Sequence, residues 1–151
     1  MDELHGGSGG AHLRCQLLTD KAKAGQGRTP GPEKGNAMDQ ICLVVPISPS
    51  KTEDARDFMR ELDGKRKPDY DRSEQRIGIT KEVWYLAHTP GGDQLVAYME
   101  SRDFGRALSL FSESQDEFDL WFKRRLADAT GLDLNTPPPG RLPELLSSYS
   151  A

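Results

Sequence analysis

The feature that most constrains the fold is residues 82–100, EVWYLAHTPGGDQLVAYME, in which two runs of alternating residues flank a pair of glycines. Alternation sends successive side chains to opposite faces of a strand. The glycines can adopt the positive φ that a tight turn requires. The pattern predicts an antiparallel hairpin of residues 81–89 and 94–100. Trp84 and His88 share one face, roughly 13 Å apart at about 3.3 Å per residue.

Segments with a different periodicity lie on either side of this hairpin. The run ICLVVPI at 41–47 is almost wholly apolar, which is typical of a strand covered on both faces. A stripe of apolar residues at helical spacing follows, formed by Ala55, Phe58, Met59 and Leu62. Residues 67–78 predict a second, short helix with a proline in its first turn. Residues 101–131 are helical in pattern again, and the break at SESQDE predicts a kink or a restart near Ser114.

The two ends of the chain differ from this patterned middle. Residues 1–37 hold eight of the fifteen glycines and no sustained periodicity, so we expect a disordered tail. Residues 38–135 are expected to form one α+β domain. Residues 136–151 join a proline-rich linker to a short leucine-rich arm, which is too short to be a stable helix alone and should dock on the domain or on a partner. Whether residues 132–134, LDL, form one more strand stays open.

Charge and composition exclude several classes of partner. The formal net charge is −4, and the part outside the tail is more acidic than the whole, which disfavours binding to nucleic acid. No run approaches the about 20 apolar residues of a membrane helix, so no membrane partner is expected. Cys15 and Cys42 have neither a disulfide framework nor metal-ligand spacing, which suits a reducing cytoplasm. Because no dinucleotide fingerprint or phosphate-binding loop appears, neither a cofactor nor a metal is expected.

The order of the elements indicates a family resemblance. The predicted order contains the split β-α-β unit of ferredoxin-like folds. It is strand, helix, short helix, strand, strand, helix. In this order, in its apolar first strand and in its hairpin followed by a long aromatic helix, the segment 39–135 resembles the dimeric α/β-barrel superfamily. That superfamily includes antibiotic-biosynthesis monooxygenase-like and stress-responsive barrel proteins. The resemblance implies a homodimer packed sheet to sheet, with a small-molecule cleft between sheet and helices. The segment LDL stands where such barrels have a full fourth strand.

Six residues are candidates to line that cleft, because rings with a single polar tip suit an apolar pocket. They are Trp84, His88, Tyr98, Phe118, Trp121 and Phe122. The same side chains also suit a hydrophobic core or a dimer interface, and that alternative stays open. Trp84 is predicted to be buried against the long helix, with Trp121 or Phe122 beside it, and His88 to lie at the rim of the pocket.

Candidate catalytic groups are few. His88 is the natural general base near neutral pH, although an exposed histidine beside a turn is an equally ordinary interpretation. Oxygenases of the resembled superfamily use an Asn–Trp–His or Asn–Trp–Arg set, but the only asparagines here, Asn36 and Asn135, fall outside the predicted cleft. Glu82 and Glu100 are interpreted as partners in salt bridges at the sheet rim, and a pair of carboxylates for acid–base chemistry is the less favoured alternative. Their predicted partners are Arg76, Arg102 and Arg106.

Three functional hypotheses follow. The first is a protein that holds a small apolar or aromatic molecule between the sheet and the long helix. The second is a cofactor-independent oxygenase or isomerase that uses His88 with Trp84 or Tyr98. The third is a purely structural dimer without a ligand. An enclosed cavity against the hairpin would favour the first two, whereas a filled core would favour the third.

Overall fold

The described part of the protein is an α+β domain with one three-stranded sheet and four helices. The computed structural model describes residues 37–136 and 141–151, so the predicted disordered tail lies almost entirely outside it. The elements are β1 (Asp39–Pro46), α1 (Thr52–Asp63), α2 (Lys67–Ile77), β2 (Ile79–Thr89), β3 (Gly92–Ser101), α3 (Phe104–Glu113) and α4 (Glu117–Thr130). None of these helices combines the length and apolarity needed to cross a bilayer.

The predicted hairpin is confirmed. β2 and β3 are antiparallel neighbours, with Trp84 opposite Ala97 and His88 opposite Asp93. Gly92 has φ of 120°, a conformation that favours glycine, at the start of β3. β3 also pairs antiparallel with β1, which makes the sheet order β1-β3-β2. β1 and β2 therefore run parallel on either side of β3, which is a split β-α-β unit compatible with a ferredoxin-like fold.

The possible fourth strand is absent from the described residues. Residues 132–134 form no strand, and the backbone N–H of Leu132 instead donates to the hydroxyl of Thr130 at 3.1 Å. Leu132 and Leu134 contact the hydrophobic core as partly buried side chains. The outer edge of β1 consequently has no strand partner within the described chain.

β1 is covered on one face rather than two, so the prediction from its apolar run is wrong for the single chain. Ile41, Leu43 and Val45 face the helices and contribute to the core. Val44 points to the opposite face and is 54% exposed. On that face Tyr85 of β2 is 58% exposed. The described helices thus leave one apolar face of the sheet open.

The helical core follows the predicted stripe of α1. Ala55, Phe58 and Leu62 are buried, and the ring of Phe58 meets Phe122 of α4 edge-on with 5.0 Å between centroids. Burying a side chain of this size stabilises a fold by roughly 1.5–3 kcal/mol. α2 also forms as predicted, and Gly78 ends it in the left-handed conformation.

The break predicted in the long helix is a restart, and α3 and α4 meet at a corner. Asp116, not Ser114, caps α4, because its carboxylate accepts from the backbone N–H of Phe118 at 2.9 Å. Lys123 is buried at this corner, and burial lowers the pKa of its ammonium group. Its Nζ donates at 3.0–3.2 Å to three backbone carbonyls at the end of α3. They belong to Phe111, Ser112 and Ser114.

The C-terminal arm is not helical. Residues 141–151 carry no regular secondary structure, although their leucines have helical spacing. Leu146 and Tyr149 are almost fully exposed. Helix formation in so short a segment would need a packing surface for these residues, and the described chain does not offer one.

Candidate ligand-binding cavity with a buried carboxyl pair

A cavity of about 440 Å³, partly open to solvent, lies between the helix-covered face of the sheet and helices α2, α3 and α4. Most of its wall is apolar. Among the lining residues are Leu43, Met99, Phe104, Ala107, Phe111 and Leu126. Arg141, Leu142 and Pro143 also line it, which places the start of the C-terminal arm against the cavity. The volume lies within the roughly 300–1,000 Å³ that is typical of small-molecule sites.

Two of the six predicted site residues lie in this wall. Trp84 and Phe122 both line the cavity, with 6.3 Å between their ring centroids. Trp84 is half-buried, and the alternation of β2 directs it to the helix-covered face. Phe122 is buried between Trp84 and the rings of α1 and α3. The hairpin and α4 therefore do bring an aromatic pair together at a cavity.

Phe118 and Trp121 lie on α4 outside the wall of this cavity. Their rings pack against each other with 5.5 Å between centroids. The guanidinium of Arg66 stacks over Trp121 at 4.7 Å and pairs with Glu117. These contacts give both rings a packing role at the junction of α1, α2 and α4. Ligand binding by either residue stays a prediction.

His88 and Tyr98 are also outside the cavity wall. His88 lies near the hairpin turn with 63% of its side chain exposed, and its Nδ1 is 2.6 Å from the carboxylate of Asp93. Asp93 accepts a second hydrogen bond from the hydroxyl of Thr52 at 2.7 Å. Tyr98 lies on the open face of the sheet, where its hydroxyl donates to Glu100 at 2.7 Å. The structure thus separates His88 and Tyr98 from the aromatic pair.

The cavity contains a polar group that the sequence analysis did not place there. The side chains of Glu74 from α2 and Glu82 from β2 both line the wall. Glu82 accepts a hydrogen bond from the indole Nε1 of Trp84. Glu74 lies within hydrogen-bonding reach of Glu82, and Tyr70 is a further neighbour. Two carboxyl groups therefore meet at the wall of an otherwise apolar space.

The surroundings of Glu74 and Glu82 determine which of the two carboxyl groups is protonated. Burial, together with the charge of Glu82 and a hydrogen bond to it, raises the pKa of Glu74 to about 10. Burial also raises the pKa of Glu82, while hydrogen bonds from Glu74, Trp84 and Tyr70 oppose that change. Two carboxylates cannot hydrogen-bond to each other, because each only accepts. Glu74 consequently keeps its proton at neutral pH, and Glu82 has the larger set of hydrogen-bond donors.

The predicted salt bridge between Glu82 and an arginine is wrong. Arg76 instead pairs with Asp119, while Glu100 lies 3.9 Å from Lys81. The sequence held a signal for the actual arrangement. Glu82 alternates onto the same face as Trp84. Glu74 lies at helical spacing within the inward stripe of α2, whose other members are Tyr70, Ser73 and Ile77.

Comparisons with known proteins add no assignment. The chain matches no protein-family model, and searches among curated proteins and solved structures also gave no match. Within the described residues, no group of three or more His, Cys, Asp or Glu is arranged to hold a metal ion. The functional argument therefore depends on the cavity and its carboxyl pair.

Proposed function

We propose that this protein binds a small, mainly apolar molecule in the cavity between the sheet and helices α3 and α4. The cavity itself is the observation that carries the proposal. It is of ligand size, its wall is mostly apolar, and Trp84 and Phe122 add aromatic surface. Apolar walls with a few polar groups that orient the ligand are typical of small-molecule sites.

The two alternative functions receive less support. A purely structural domain has no need of a ligand-sized concavity with a mostly apolar wall. An oxygenase or isomerase that uses His88 with Trp84 or Tyr98 would need His88 and one of those two side chains near the bound molecule. His88 is exposed by the turn, and Tyr98 is on the other face of the sheet.

The proposal is tested by filling the cavity. Ala107 is buried on α3 and lines the wall, so Ala107→Phe should place a ring in the space. Leu110→Phe, on an exposed position of the same helix, is the matched control. Native mass spectrometry of freshly purified protein would show a co-purifying molecule, and 1-octanol serves as a defined titrant. We expect Ala107→Phe to weaken octanol binding by at least about tenfold, whereas the control binds as wild type does. Equal binding by both variants would refute the cavity as the site.

We also propose that two copies assemble through the open face of the sheet, as in the dimeric α/β-barrel superfamily that the sequence resembles. The support is the apolar character of that face. Val44, Tyr85, Val96 and Tyr98 lie on it, and within the described chain no element covers them. Exposed apolar surface of this kind marks an interaction site in many proteins. The cytoplasmic location that the cysteine content suggests stays a prediction.

The assembly is tested by sedimentation at micromolar concentration. Val44→Glu introduces a charge on the open face beside Val96 and should convert a dimer into a monomer. Glu53→Lys on the exposed side of α1 is a control for a change in surface charge. A wild-type protein that sediments as a monomer would refute the dimer and leave the cavity proposal untouched.

A further inference from the structure

The partly buried pair Glu74–Glu82 differs from the buried Asp119 and Lys123 because neither a counter-charge nor a full set of hydrogen bonds compensates it. No Lys, Arg or His of the described residues forms a salt bridge with either carboxyl group, and Oε2 of Glu74 is buried without a hydrogen-bond partner. Burying an ionisable group without such compensation costs stability, which a protein made only to fold would avoid.

The same domain compensates its remaining buried charges. The carboxylate of Asp119 is held by Arg76 and Ser73. The ammonium of Lys123 donates to three backbone carbonyls. Arg125 pairs with Glu61 at 3.0 Å. The uncompensated pair is also the one that lines the cavity, so the missing partner can come from the cavity side.

We infer that Glu74 and Glu82 bind the cationic nitrogen of an otherwise apolar amine, with Glu82 as the principal acceptor. This inference depends on the proposed function and names the class of its ligand. An ammonium group carries a positive charge and up to three N–H donors. These are the counter-charge and the hydrogen-bond donors that the two carboxyl groups do not receive from the protein. The apolar portion of the amine would occupy the space lined by α3 and α4.

Two further features of the wall bear on this inference. The rings of Trp84 and Phe122 line the same cavity, and aromatic faces attract cations in a desolvated site. Arg141 also lines the cavity, but it is exposed and pairs with neither glutamate. A ligand carboxylate would be attracted to Arg141, and a ligand ammonium to the glutamate pair. The preferred sign of the ligand charge therefore shows which of these two groups binds the ligand.

The experiment compares three ligands that share one alkyl chain. Octylamine, 1-octanol and octanoate are titrated into the full-length protein by calorimetry, with the emission of Trp84 as a second readout in a Trp121→Phe background. We expect octylamine to bind at least about tenfold more tightly than octanol, because a charge-assisted hydrogen bond exceeds a neutral one. Octanoate should bind more weakly than octanol.

The variants Glu82→Gln and Glu74→Gln keep the shape of the side chain and remove its charge, and Glu53→Gln on the exposed side of α1 is the control. We expect Glu82→Gln to lower octylamine affinity by about tenfold and to leave octanol affinity within about twofold. Glu74→Gln should have the smaller effect of the two, and the control none.

Equal affinity for octylamine and octanol would overturn the inference while sustaining the proposed function. Tightest binding of octanoate would likewise overturn it and point to Arg141. If none of the three ligands binds, the proposed function fails together with the inference. If Glu82→Gln weakens octanol and octylamine equally, the glutamate supports the wall of the cavity and does not bind the ligand cation.

Discussion

Two acidic sites that contact α2 differ in how their carboxyl groups are compensated. At one site, Asp119 is completely buried, and Ser73 and Arg76 of α2 hold its carboxylate. At the other, Glu74 of α2 meets Glu82, and no cation of the described residues pairs with either. At the first site Arg76 compensates the carboxylate of Asp119, whereas at the second site Glu74 keeps a proton. The carboxylate of Asp119 thus stabilises the packing of α2 on α4, whereas Glu74 has a carboxyl oxygen without a hydrogen-bond partner.

The largest effect should come from removing the compensated charge. Asp119→Ala leaves Ser73 and Arg76 without their shared partner, and we expect the free energy of unfolding to fall by about 3 kcal/mol. Urea denaturation measures it. Asp128→Ala, at an exposed position of the same helix, should cost less than about 0.5 kcal/mol. Equal losses in the two variants would remove the distinction between a structural acid and a surface acid.

The pair Glu74–Glu82 should make the free energy of unfolding depend on pH. The pKa of Glu74 in the folded protein, about 10, exceeds its ordinary value of 4.5, so the folded state holds this proton more tightly than the unfolded state does. The associated stability is fully present below the unfolded pKa and is lost as the pH rises through the folded pKa. Between about pH 7 and 8, wild type should lose up to about 1.4 kcal/mol that Glu74→Gln retains.

Thermal and urea unfolding of both proteins across this range would measure the difference. Because Gln is neutral, as protonated Glu74 is, the two proteins should have similar stability near pH 4.5 and should diverge as the pH rises. Parallel stability curves for the two proteins would show that Glu74 ionises normally and that the two acidic sites are alike.

The smallest effect should come from an exposed pair. His88→Ala removes the contact between Nδ1 and Asp93 near the hairpin turn, and we expect the free energy of unfolding to change by less than about 0.5 kcal/mol. Asp93 retains its hydrogen bond from Thr52. Chemical denaturation of this variant beside Asp119→Ala gives the contrast directly. A loss as large as that of Asp119→Ala would mean that burial is a poor guide to the energy of ion pairs in this domain.

Much of the fold could be predicted because its elements have strong periodic patterns. The hairpin of β2 and β3 alternates cleanly, and α1 has a single apolar stripe, so local residues determine both. β1 was harder, because an apolar run does not reveal whether one face or two are covered. Residues 132–134 were harder still, since a short leucine pair packs equally well as a coil against the core.

The candidate site was less accessible to sequence reasoning. Trp84 and Phe122 could be predicted as an aromatic pair from the alternation of β2 and the stripe of α4. The alternation of β2 puts Glu82 on the same face as Trp84, but the partner of Glu82 comes from α2, a helix with little apolar content of its own. No local pattern predicts which helix residue meets which strand residue, because that depends on how α2 packs on the sheet. The Glu74–Glu82 pair therefore arises from tertiary packing and not from a local sequence pattern.

The corner held by Lys123 has a mechanical consequence. Its single ammonium group ties the end of α3 to the middle of α4, and both helices contribute walls to the cavity through Phe111 and Phe122. Spreading the two helices would break three hydrogen bonds to a buried charge at once. The angle between these helices is therefore stiff, and the width of the cavity is held constant. Residues 141–143 line the cavity from a segment without helical or strand hydrogen bonds, so this part of the wall is easier to displace than either helix.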